Sequence, residues 1–122
     1  MKRRFRLTRS TDFQRVRRQG RSYAHPLLVL IVLPNPEGEV RFGVSAGRRI
    51  GNAVQRNRAK RLIRAALQPY LDEVQPGWDV VILARAPLVG AGYAETHQAL
   101  RSLLNRAGLL KITDDSQEEL AA

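Results

Sequence analysis

The chain has no cysteine, one methionine and one tryptophan, and only 6% of its 122 residues are aromatic. Without cysteine, disulfides and thiolate metal sites are excluded and a reducing compartment is permitted, so a cytoplasmic location is expected. Acids are scarce as well: 11 Asp+Glu against 21 Lys+Arg leave a net charge of +10 and a sequence pI near 11.3. Long apolar runs are also missing. The longest, residues 27–33, falls far short of the roughly 20 residues that span a bilayer, and the basic segment 1–7 is not followed by the apolar core of a signal peptide. A membrane partner is therefore not expected. At 43% hydrophobic composition the chain can build one core and is too short for two. A single domain over residues 1–112 is predicted, with the acidic residues 113–122 as a loose tail.

Groupings that could do chemistry are equally hard to find. His25 precedes a strand and His97 lies at the edge of a helical stripe, so both read as structural or surface residues. Asp72-Glu73 and Asp114-Asp115 lack the spacing of metal ligands, and Gly90-Ala91-Gly92 lacks the lysine of a phosphate-binding loop. No acid–base pair or ligand set can be assembled from these positions. The expectation is a protein with no catalytic residue, protein-bound metal or cofactor of its own, serving chemistry that resides elsewhere.

What the chain has is positive charge in two blocks. Residues 1–21 hold nine basic residues and one acid, and residues 41–64 hold eight and no acid. From residue 65 onward acids outnumber bases, eight to four, so one basic side and one neutral or acidic side are expected. Arginine supplies 18 of the 21 positive charges, and its planar fork suits phosphate and base contact better than lysine does. This is the electrostatic footprint of a nucleic-acid binder.

The second block reads as a helix whose start is marked by Gly51 and the N-cap residue Asn52. Ala59, Leu62, Ile63, Ala66, Leu67 and Tyr70 share one arc, and Asn57, Arg58, Lys60, Arg61 and Arg64 take the opposite side. A solvated helix would offset such charges with acids at i,i+4. Here none are present, so a polyanion is expected to do so. Around this helix we predict a first helix over residues 10–18, capped by Ser10 and ended by Gly20. A buried strand follows over residues 27–33, then a turn over 34–38 and a strand over 40–45 paired with it as a hairpin. A third strand covers residues 79–84 and a last helix residues 93–107, with Tyr93 on its apolar side. The predicted fold class is α+β: a single-domain α/β sandwich, a small mixed sheet with helices packed on one face.

Charge by itself leaves three partners open: a specific DNA duplex, a ribosomal RNA, or another structured RNA. No second helix stands at helix-turn-helix spacing, and DNA is not the expected partner. The order of residues is more discriminating. Gly43-Val44-Ser45, then Arg48-Arg49-Ile50-Gly51-Asn52-Ala53-Val54, then Arg56-Asn57-Arg58-Ala59-Lys60-Arg61-Leu62-Ile63-Arg64, resembles the signature of the bacterial ribonuclease P protein component. Phe5-Arg6-Leu7, Asp12-Phe13, Gly20 and residues 81–87 follow in the family's order, so the resemblance spans residues 3–110.

The resemblance implies a sandwich with a left-handed βαβ crossover, and a protein subunit that joins a catalytic RNA to remove the 5′ leader of precursor tRNA with RNA-bound Mg2+. The implied partners are ribonuclease P RNA and precursor tRNA. By position, Arg48, Arg49, Gly51, Asn52, Arg56, Asn57, Arg58, Lys60, Arg61 and Arg64 are expected to face the RNA subunit, Gly51 by permitting close approach. A second surface, between the first helix and the sheet, is expected to take the leader through Arg9, Phe13, Arg15, Arg17, Leu28, Ile31 and Arg85. Phe13 would stack a base, or else anchor its helix in the core. Arg17, Leu28 and Ile31 stand where the family often has aromatics, so charge should dominate there. Tyr23 is read as a packing residue before a further ring, and Phe42 as core.

Overall fold

A run of apolar residues flanked by turns at both ends can be buried on both faces only if layers cover both sides of its sheet. The computed structural model, which describes residues 6–111, builds this arrangement around the central strand. The elements in order are α1 (Ser10–Gln19), β1 (Arg21–Ala24), β2 (Leu28–Pro34), β3 (Arg41–Ser45), α2 (Ala53–Leu67), β4 (Trp78–Ala84) and α3 (Tyr93–Arg106). Short 3-10 turns at Arg48–Ile50, Gln68–Tyr70 and Ala86–Gly90 lead into or out of the helices. The acidic tail and Phe5 lie outside the described residues.

The sheet order is β1-β2-β4-β3, antiparallel except for the parallel pair β3 and β4. This corrects the expected hairpin of residues 27–33 with 40–45, because β4 lies between those strands. The turn over residues 35–40 is an arch that straddles the start of β4. Asn35 N–H donates to Gly77 O, and Gly77 N–H donates to Glu39 O. Sequence proximity favours a hairpin, but β4 offers an apolar strand to both neighbours. The short β1, Arg21–Ala24, was not anticipated because its residues are mostly exposed and carry no apolar pattern.

Helices cover both faces, where one had been expected. On one face α2 and α3 enclose Leu28, Leu30, Val32, Phe42, Val44, Val80 and Ile82 with Ile63, Leu67, Leu100 and Leu104. On the other, α1 sets Val16 against Ile31 and Val81, with Leu7 beside them and Phe13, Val29, Leu33 and Leu83 partly covered. Alternation along β2 and β4 divides their side chains between these two cores.

Local signals hold well at α2. Asn52 Oδ1 accepts from Gln55 N–H at 2.9 Å while Gln55 Oε1 accepts from Asn52 N–H at 3.0 Å, a reciprocal capping box. α1 instead begins after Arg9, which supplies no side-chain cap, so Ser10 is the first helical residue. Tyr93 is half exposed, contrary to its expected place in the apolar stripe.

Candidate nucleic-acid interface

The basic helix presents its charges unevenly. Asn57, Arg58 and Arg61 are exposed, and Arg56 and Lys60 are half-buried at the margins of α2. Arg58 is turned back onto the protein: its guanidinium donates to Val89 O at 3.3 Å and to Ala91 O at 3.5 Å, tying α2 to the turn before α3. Arg64 is also drawn inward, with its Nε buried and without a hydrogen-bond partner among the described residues. Burial, and then the nearby Arg6, push its pKa down, so an anion placed there would relieve both. Gly51 has a local reason to be glycine: its φ is +137°, and Gln55 of the capping box fills the space a Cβ would take. The Asn52 carboxamide oxygen is likewise engaged in the cap, leaving its NH2 group outward.

Arg48 and Arg49 sit apart from this face. They lie exposed on the turn before α2 and line a cleft of about 520 Å³ together with Arg17 of α1 and Arg85 after β4. Ile50, Leu83 and Pro87 supply its apolar lining, and among the described residues no carboxylate lines it. The Arg85 guanidinium is steadied by donating to His25 O at 3.1 Å. The residues expected on two separate surfaces thus meet: Arg48 and Arg49 share one hollow with Arg17 and Arg85.

Other expected leader contacts fall elsewhere. Leu28 is fully buried and faces α2 and α3, on the wrong side of the sheet for a cleft beside α1. Ile31 faces α1 but is sealed beneath its end, where a Cβ on Gly20 would come 2.7 Å from Ile31 Cγ2. These two positions are corrected to core: alternation fixes the face of Leu28, and the close approach of Gly20 closes over Ile31. Arg15 is held by the buried Asp79, and Arg9 lines a separate hollow with Asp12, Glu37 and Arg41. Phe13 lies on Gly43 and lines a third hollow of about 340 Å³ with Arg6, Thr8 and Arg64. Tyr23 pairs with Leu30 and packs toward the α2–α3 side, as the packing reading expected, between Arg21 and Arg106. His25 Nδ1 accepts from Leu27 N–H at 3.0 Å, and His97 stacks on Tyr70 with ring centroids 5.0 Å apart.

Sequence reasoning missed Asp79 and its partners Arg41 and Asn35. The available signal was an acid one residue into a strand that is otherwise apolar, Asp79 before Val80-Val81-Ile82-Leu83.

Comparison with known proteins identifies the family and the fold. The sequence model of the family described as Ribonuclease P matches residues 1–108. The chain belongs to the ribonuclease P protein family. It is 40% identical over 119 residues to the ribonuclease P protein component of Herpetosiphon aurantiacus, covering 98% of this chain and 97% of that one. With the component from Bacillus velezensis it shares 42% identity over 112 residues, 91% of this chain and 96% of the relative. A solved ribonuclease P protein from Staphylococcus aureus superposes with a TM-score of 0.79 at 29% identity, over 88% of this chain and 98% of that one. One from Thermotoga maritima gives 0.74 at 26% identity, over 83% and 96%. The chain is accordingly a protein component of ribonuclease P, a ribonucleoprotein endoribonuclease of tRNA processing.

Proposed function

We propose that the protein binds the ribonuclease P RNA through α2 and its approach, and guides the 5′ leader of precursor tRNA through the cleft beside α1. The observation that carries this reading is the cleft itself: Arg17, Arg48, Arg49 and Arg85 surround an apolar lining of Ile50, Leu83 and Pro87. Four guanidinium groups provide phosphate contacts along a single strand, and the apolar surface accepts base faces without reading sequence. Phe13, in the neighbouring hollow, supplies a ring on which a base can stack, worth about 1–3 kcal/mol. The hydrolytic Mg2+ is assigned to the RNA subunit, as membership of the family implies, and the arginine-lined cleft is kept for the anionic strand.

Arg56, Asn57, Lys60, Arg61 and the outward NH2 of Asn52 form the RNA-subunit face, and Arg64 with Arg6 extends it toward Phe13. Arg48 and Arg49 then stand between the two RNAs, within reach of the leader where it leaves the catalytic subunit.

The test is cleavage of a precursor tRNA by a bacterial ribonuclease P RNA at low Mg2+, with and without the protein. Stimulation that grows with leader length supports the reading. Tight RNA binding without stimulation would move the assignment to RNA binding unconnected with leader removal.

A further inference from the structure

Asp79 is fully buried, and donors from three separate elements converge on it. Arg41 of β3 donates Nε to Oδ1 at 2.9 Å and an Nη to Oδ2 at 3.0 Å. Asn35 of the arch donates to Oδ1 at 2.9 Å, and Arg15 of α1 donates to Oδ2. Burial alone would push the Asp79 carboxyl up, but the hydrogen bonds from Arg41, Arg15 and Asn35 hold it below its ordinary range. A charged carboxylate survives in such a place only when its donors are fixed.

Among the described residues, Arg15 on Asp79 is the charged hold on α1 that reaches β4. Of the ten residues of α1 only Val16 is fully buried, Phe13 is half-buried on Gly43, and Gly20 closes over Ile31 at the C-terminal end. These contacts hold the helix along its middle and end and leave its tilt to be set beside β4. Beyond this packing, Arg15 ties it to Asp79. On β4 the residues facing α1 are Asp79, Val81 and Leu83 in alternation. They meet, in turn, the Arg15 ion pair, the packed Val16 and the open cleft. The clamp and the cleft are therefore at opposite ends of one row, roughly 13 Å apart at about 3.3 Å per residue, with α1 lying across it.

We infer that Asp79 is a positioning residue for leader binding: by holding Arg15 it sets the tilt of α1, and so the width of the cleft between Arg17 and Leu83. This rests on the leader-binding reading of that cleft. Arg15 in this arrangement acts through Asp79 and does not touch leader phosphates.

The experiment uses holoenzyme reconstituted with the unmodified protein, Asp79→Asn, Arg15→Ala and the double variant. KM and kcat are measured for a precursor with a long leader and for one with a truncated leader. Each variant should raise KM for the long-leader substrate by about tenfold, as misplacing a binding wall does, and leave kcat and the truncated-leader KM unchanged. The double variant should be no worse than Asp79→Asn. Additive losses would make Arg15 a direct phosphate ligand and overturn the inference, as would a fall in active fraction with both KM values intact. Arg15→Ala leaves the buried Arg41–Asp79 pair in place, so it gives a result even if Asp79→Asn fails to fold. If the unmodified protein does not distinguish the two leaders, the cleft reading itself fails. If it does and the variants match it, only the positioning role fails. Because the chain has no cysteine, spin labels at Gln14→Cys and Ser102→Cys report the pose of α1 directly. Their distance distribution should broaden in Arg15→Ala, and an unchanged distribution would overturn the inference.

Discussion

The ring of Phe13 lies directly on Gly43, where a Cβ would stand 2.5 Å from Cζ and 2.7 Å from Cε1. A side chain at the middle of β3 and the aromatic of α1 therefore exclude each other. Gly43→Ala is expected to cost about 1–3 kcal/mol in urea unfolding, the range for overpacking a fitted site. Adding Phe13→Leu should recover most of that loss, because the shorter side chain clears the new methyl. Additive losses in the double variant would show that the cost of the new methyl does not come from the ring.

Phe13→Leu by itself separates the ring's two roles. It should weaken binding of leader-bearing precursor to the holoenzyme more than binding of mature tRNA, by about 1 kcal/mol or more if a base stacks there. Equal losses for both substrates would leave Phe13 as a core anchor alone.

Asp79 makes stability sensitive to acid. Its native pKa lies below the unfolded value, so its contribution is complete above the ordinary carboxylate range near pH 3.9. It is lost as pH falls through the lower native value, where the unfolded chain binds the proton first. Thermal unfolding from pH 7 to 2 should show a decline below about pH 4, and Asp79→Asn should be less stable at neutral pH with a shallower decline. Parallel curves would assign the acid sensitivity to other carboxylates.

Arg58 and Arg61 should behave differently although they are neighbours on α2. Arg61 is exposed, so Arg61→Ala should lower the salt dependence of RNA-subunit binding by about 0.7–0.9 in the log–log slope and leave unfolding unchanged. Arg58 binds Val89 O and Ala91 O, so Arg58→Ala should also destabilise the fold by about 0.5–1.5 kcal/mol. Fluorescence titration across a salt series and denaturant unfolding of the same samples read both effects.

Leu28→Ala should cost about 2–5 kcal/mol of stability, with leader discrimination intact in the folded fraction, because its side chain faces α2 and α3. A change in leader preference at full folding would return Leu28 to the cleft.

What the sequence determined by itself were the features carried by neighbours along the chain. The Asn52 cap, the apolar arc of Ala59, Ile63, Ala66 and Leu67, the apolar run at residues 27–33 and the acid-free basic block depend on local spacing; the structure retains them, with the strand beginning at Leu28. Family membership was legible for the same reason, since the signature runs continuously from Gly43 to Arg64. Tertiary structure decided which strand β3 pairs with, because β2 and β4 are both apolar and pairing energy does not depend on sequence order. It decided which arginines are tied to the protein, because Arg15 and Arg41 are held by Asp79, and the exposed Arg58 by Val89 and Ala91, partners 31 to 64 residues away. It also brought Arg48 and Arg49 into one cleft with Arg17 and Arg85. Charge is written in the sequence, but which charges face the RNA depends on contacts between residues that only folding brings together.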